Sequence, residues 1–160
     1  MIATFPNTSK LWIFQSDKRF STEQIKRISD TLYSFLKDWQ THGKDLVAAF
    51  EIKYNQFIVI AANESVENPT GCSIDSLTHK IKEIENTLNI KLLDRSLVAF
   101  STAIDKESIE MLPLVQFKKN LKENLIPKHA VIFNNTVSTV GEYQTQWIQP
   151  LHESWAKSYL

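Results

Sequence analysis

The chain has 160 residues, with 18 Lys and Arg against 18 Asp and Glu, three Gly and one Cys. That length predicts one domain, residues 1–160, with enough interior to fold without staples. The charges balance within 1–71, 72–102 and 103–160 separately, so there is no basic stripe of the kind that neutralises phosphates, and nucleic acid is a disfavoured partner.

One Cys excludes an internal disulfide and a Cys-based zinc ribbon. The four His (42, 79, 129 and 152) show no metal-ligand spacing, so no metal site and no cofactor are expected. No apolar run approaches the length of a membrane span. Residues 1–10 lack the pattern of a secretory signal, and a free thiol suits a reducing compartment, so a cytoplasmic location is expected.

In chain order, Leu11–Ser16 is rich in β-formers and predicts a strand. Ser21 with Gln24 makes a capping box, and Ile25, Ile28, Leu32, Phe35, Leu36 and Trp39 recur at helical spacing. This predicts a helix over 22–41 with Gly43 as its stop. Residues 46–54 alternate and residues 57–62 are continuously apolar, a hairpin whose second strand is buried on both faces. A second helix is expected from Ser73 or Asp75, with an apolar stripe at Ile74, Leu77, Ile81, Ile84 and Leu88, and then a strand at 97–101.

The order β-α-β-β-α-β over residues 10–102 is that of a ferredoxin-like α+β sandwich, with helices on one face of an antiparallel sheet. Residues 103–160 read as an α/β extension packed on it. They hold a strand at 109–112 entered by a turn at Asp105-Lys106, a short helix over 114–125 and a strand at 130–133. A helix from the Thr139/Glu142 capping box to about 149 follows, then a last helical turn from Pro150.

Three features carry possible function. Thr70-Gly71-Cys72-Ser73-Ile74-Asp75-Ser76 joins a buried strand to a helix N-terminus, where free N–H groups favour an anion or a thiolate. Gly71, Cys72, Ser73 and Asp75 are therefore candidate ligand-binding residues, and Cys72 is a weak candidate nucleophile for which His42 and His79 are the nearest imidazoles in sequence. The bland alternative is a capped helix with a buried Cys. Asn134 and Asn135 suit either a ligand's amide edge or an Asx turn. Tyr143, Trp147, Leu151 and Trp155 fall four apart, which suits a terminal helix docked on the core or a homodimer interface.

Leu11–Ser16, His42-Gly43, Tyr54-Asn55-Gln56-Phe57, Gly71 to Ser76, Phe133-Asn134-Asn135, Glu142, Trp147, Pro150 and Ser154-Trp155 together resemble a small uncharacterised bacterial family that often carries the label "ABC transporter ATPase". The resemblance spans nearly the whole chain and implies no catalytic residues. The label's chemistry has no motif here. Around Gly43-Lys44, Asp45 stands where Ser or Thr would bind magnesium, Asp38 stands where a glycine is needed, and no Ser-Gly-Gly-Gln occurs. The residues point to a non-catalytic domain that binds a small ligand or a protein. A Cys72-dependent enzyme or thiol sensor and a homo-oligomeric interaction protein are the alternatives.

Overall fold

The six residues Phe57–Ala62 are apolar without alternation, so a strand made of them must be covered on both faces. The computed structural model, which describes residues 1–103 and 108–160, builds the chain around that requirement. The elements are β1 (Lys10–Gln15), α1 (Thr22–Lys37), β2 (Gln40–Thr41), β3 (Lys44–Asp45), β4 (Ala48–Lys53), β5 (Phe57–Ala62) and α2 (Gly71–Leu88). They continue with β6 (Leu97–Ser101), β7 (Ile109–Pro113), α3 (Leu114–Lys122), β8 (Val131–Phe133), α4 (Val140–Gln146) and β9 (Ile148–Pro150). Short 3-10 turns cover Ile2–Thr4, Leu151–Glu153 and Trp155–Tyr159.

The fold is α+β, and its sheets are antiparallel. β5 is the centre of a three-stranded sheet, β1-β5-β4, and all six of its residues are buried. Ile58 and Ile60 face α1 and α2, where Ile28, Leu32, Leu77 and Ile81 cover them. Phe57, Val59 and Ala61 face the other way, against Ala99 and Phe133 of a second sheet, β7-β6-β8-β9. The far face of that sheet, with Phe100 and Ile132, is closed by Phe117 and Leu121 of α3 and by the terminal turns. The result is four layers, helix–sheet–sheet–helix, with three cores between them. Each fully buried Ile, Leu or Phe contributes on the order of 2 kcal/mol by leaving water. No helix among the described residues is long and apolar enough to cross a membrane.

Several expectations are corrected. In a ferredoxin-like sheet the strand at 97–101 would lie beside β1. Instead β6 pairs with β7 and β8, and no ladder joins it to β1. The outer edge of β1 is occupied at its start by another segment. Leu11 N–H donates to Ser138 O (3.0 Å) and Val140 N–H donates to Ser9 O (2.9 Å). β6 turns its Ala99 onto the face of the first sheet, so the two sheets stack rather than merge.

α1 ends at Lys37, short of Thr41, because Trp39 turns inward. Its indole N–H donates to Ser73 O (2.8 Å). Gly43 is not the helix stop. With His42 it supplies the positive-φ pair (78° and 51°) that turns the β2–β3 hairpin. α2 begins at Gly71, before both expected caps, with Thr70 as its N-cap.

α4 ends at Gln146 because Ile148–Pro150 pairs with β8 as a strand. That extended stretch breaks the helical stripe: Tyr143 and Trp147 enter the inter-sheet core, Leu151 enters the outer core, and Trp155 alone is largely exposed. Trp147 and Leu151 are thus enclosed within the chain and form no outward interface with Tyr143 and Trp155. The expected Asp105-Lys106 turn lies outside the described residues.

Two polar groups are set inside this frame. Ser9 is fully buried, and among the described residues its hydroxyl has no partner. Ser9→Ala removes an unsatisfied group and is expected to raise stability by about 1 kcal/mol. A lower midpoint in urea denaturation would contradict this. Tyr143 donates its hydroxyl proton to Glu51 (3.0 Å), and burial, reinforced by the Glu51 charge, pushes its pKa well above the usual tyrosine range. The folded chain therefore holds this proton after the unfolded chain has released its own. The stability tied to it is intact below the ordinary tyrosine pKa of 10.0 and is lost as pH rises beyond it. Tyr143→Phe is expected to flatten the decline in stability above that pH, read from urea midpoints across an alkaline series.

Candidate functional site

At the α2 N-terminus, singled out by sequence, Thr70 and Ser73 form a capping box. Thr70 N–H donates to Ser73 Oγ (2.6 Å), Thr41 Oγ1 donates to Thr70 Oγ1 (3.1 Å), and Ser73 O accepts both the Trp39 indole and the Ser76 hydroxyl (2.8 Å each). Ser73 is buried, while Gly71, Cys72 and Asp75 are exposed. Cys72 is thus not the small core residue of the bland reading. Nor does a His, Asp or Glu among the described residues hydrogen-bond to it, and His42 and His79 both face solvent. The described residues contain no group of three His, Cys, Asp or Glu placed to hold a metal ion.

Asn134 and Asn135 lie elsewhere, and they separate in role. Asn134 Oδ1 accepts the Thr136 N–H (3.2 Å), the turn-forming use. Asn135 lies in a chain of side chains with a single direction. Trp147 Nε1–H donates to Asn135 Oδ1 (2.9 Å), Asn135 Nδ2 donates to Gln15 Oε1 (2.8 Å), and Gln15 Nε2 donates to Leu97 O (3.2 Å). An indole N–H is only a donor and a carbonyl only an acceptor, so the two ends decide which way each amide between them is turned. Each amide keeps one N–H and one oxygen lone pair beyond these bonds.

Both amides line a cleft of about 530 Å³. It is lined by the loop from Leu92 to Arg95 and the turn from Phe133 to Thr136, together with Gln149, Ser154 and Trp155. Ile13, Phe14 and Gln15 of β1 line it as well. Three consecutive residues whose side chains alternate between the faces of a sheet line one space where that space follows the strand's edge or its end, and these three close β1. The charges are Asp94, Arg95 and Glu153. The hydroxyl and N–H of Ser96 hold the Asp94 carboxyl below the usual range, so it stays ionised.

Sequence reasoning named Asn134 and Asn135 but missed Gln15, Leu97 and Trp155 as their neighbours. Gln15 lies next to last in the predicted strand Leu11–Ser16. Its polarity at the core-facing end of the alternation Leu11, Ile13, Gln15 was the one signal available.

Because the amide chain is directional, Asn135→Asp is not a neutral replacement. One carboxylate oxygen still accepts from Trp147, but the other meets Gln15 Oε1, and turning Gln15 would set oxygen against Leu97 O. A loss of about 1–3 kcal/mol is expected from this isosteric change, measured by urea unfolding. An unchanged midpoint would show that the chain is not directional.

No protein-family model, curated protein or solved structure matches this chain.

Proposed function

We propose that the chain is a non-catalytic binding domain and that the cleft beside β1 is its site. The observation that carries this reading is the fixed Trp147–Asn135–Gln15 array on the cleft wall. Amides held in one orientation by the fold are ready to meet a ligand without first being ordered, which lowers the cost of binding. The cleft volume falls within the roughly 300–1,000 Å³ of ordinary ligand sites, and its lining mixes apolar side chains with a few polar ones. Its lining contains no His, Cys or Lys, and Ser154 Oγ donates to Leu151 O (2.8 Å) rather than to either carboxylate of the lining, Asp94 or Glu153. That composition favours recognition over acid–base or nucleophilic chemistry. With two acidic residues against one Arg, it favours a neutral or zwitterionic ligand over a polyphosphate such as ATP.

A fragment screen read by ¹H–¹⁵N correlation spectra tests this. Carboxamide-bearing fragments are expected to shift the side-chain amide signals of Gln15 and Asn135 and the indole signal of Trp155. A screen in which every responding signal lies outside the cleft would overturn the assignment. ATP is expected to leave these signals in place.

A further inference from the structure

We propose that the ligand is an extended peptide segment, which adds as a strand to the open edge of β1 inside the cleft. The proposal rests on the cleft being the binding site.

The hydrogen-bond parity of β1 supplies the argument. Ser16 N–H donates to Gln56 O (2.8 Å) in the register that joins β1 to β5, so the even-numbered residues point their backbone groups at β5. Leu11 N–H points the opposite way, to Ser138, and Ser9 O accepts Val140 N–H on the same side. The outer edge is thus carried by the odd residues, and its pairing with 138–140 stops at Leu11. Beyond that point the N–H and C=O of Ile13 and the N–H of Gln15 face outward, and among the described residues no backbone group meets them. This unpaired stretch is the part of β1 that lines the cleft.

An edge of this kind is a template on which another backbone in extended conformation pairs. The surroundings suit it. A strand laid beside Ile13 turns alternate side chains to its two sides. Leu92 and Leu93 are on the helix-layer side, and Ala99 and Phe133 are on the second-sheet side. Leu92, Ala99 and Phe133 are buried, so the apolar surface open to such side chains comes from the half-buried Leu93 and Leu97. The amides of Gln15 and Asn135 offer the peptide groups of such a segment both donors and acceptors. At about 3.3 Å per residue, the open stretch takes a segment of about three or four residues.

The test uses the full chain and a pooled library of N-acetylated, C-amidated tetrapeptides of apolar and hydroxyl residues. Hydrogen exchange first reads the edge. The Ile13 amide is expected to exchange fast in the free protein and to slow at least fivefold with the pool bound. Addition of the pool is expected to shift the Ile13 and Gln15 backbone signals. The same pool methylated at its internal nitrogens, which removes backbone donors while leaving the protein unchanged, is expected to bind at least about fivefold more weakly. An Ile13 amide already protected in the free protein, or equal binding of the methylated pool, would overturn the proposal. A cleft that answers to carboxamide fragments and ignores the peptides would remove the peptide and leave the cleft as the site. A cleft silent to both would remove both readings.

Discussion

The rest of the structure depends on a strand that has no solvent face. Phe57–Ala62 is apolar at every position, and all six residues are buried. One helical layer covers only one face of a sheet, so a second layer is physically required, and it is recruited from strands between residues 97 and 150. That second layer is itself a sheet with an apolar outer face, which then needs α3 and the terminal turns. The four-layer order follows from satisfying each exposed apolar face in turn.

Trp147 couples that packing to the candidate site. Its ring lies 5.1–5.8 Å, centroid to centroid, from Tyr54, Phe57, Phe133 and Tyr143, which belong to the β4–β5 turn, both sheets and α4. Each such aromatic pair is worth about 1 kcal/mol beyond the area it buries. The same ring aims its N–H at Asn135 and, through it, sets the orientation of Gln15. The cleft is therefore organised from the inter-sheet core outward, and its polar wall is as rigid as the aromatic cluster behind it.

The cleft owes its existence to a pairing that β1 does not make. Had β6 joined β1, the edge at Ile13 would be filled by the chain's own backbone. Segment 138–140 occupies only the start of that edge, and Gln15 spans the remaining gap to Leu97 with a side chain. The space left is lined by residues of two loops and by the part of β1 whose outward peptide groups are unpaired among the described residues.

Local pattern in the sequence determined the main elements. The 3.6-residue stripes of α1 and α2, the Ser21 and Thr139 caps, the β4–β5 hairpin and the double-sided burial of β5 depend on neighbours a few residues apart, and they are legible there. What tertiary structure alone decided depends on partners far away in the chain. Trp39 leaves its helical period because a carbonyl 34 residues on accepts its indole. The run Tyr143 to Trp155 loses its helical spacing because β8 claims Ile148–Pro150 as a strand. Asn135 meets Gln15 across a separation of 120 residues, which no spacing rule encodes. The lone cysteine, conspicuous in composition, stands exposed beside a helix end that caps itself. The site's polar groups are instead common amides, informative only once the fold has turned them toward one another.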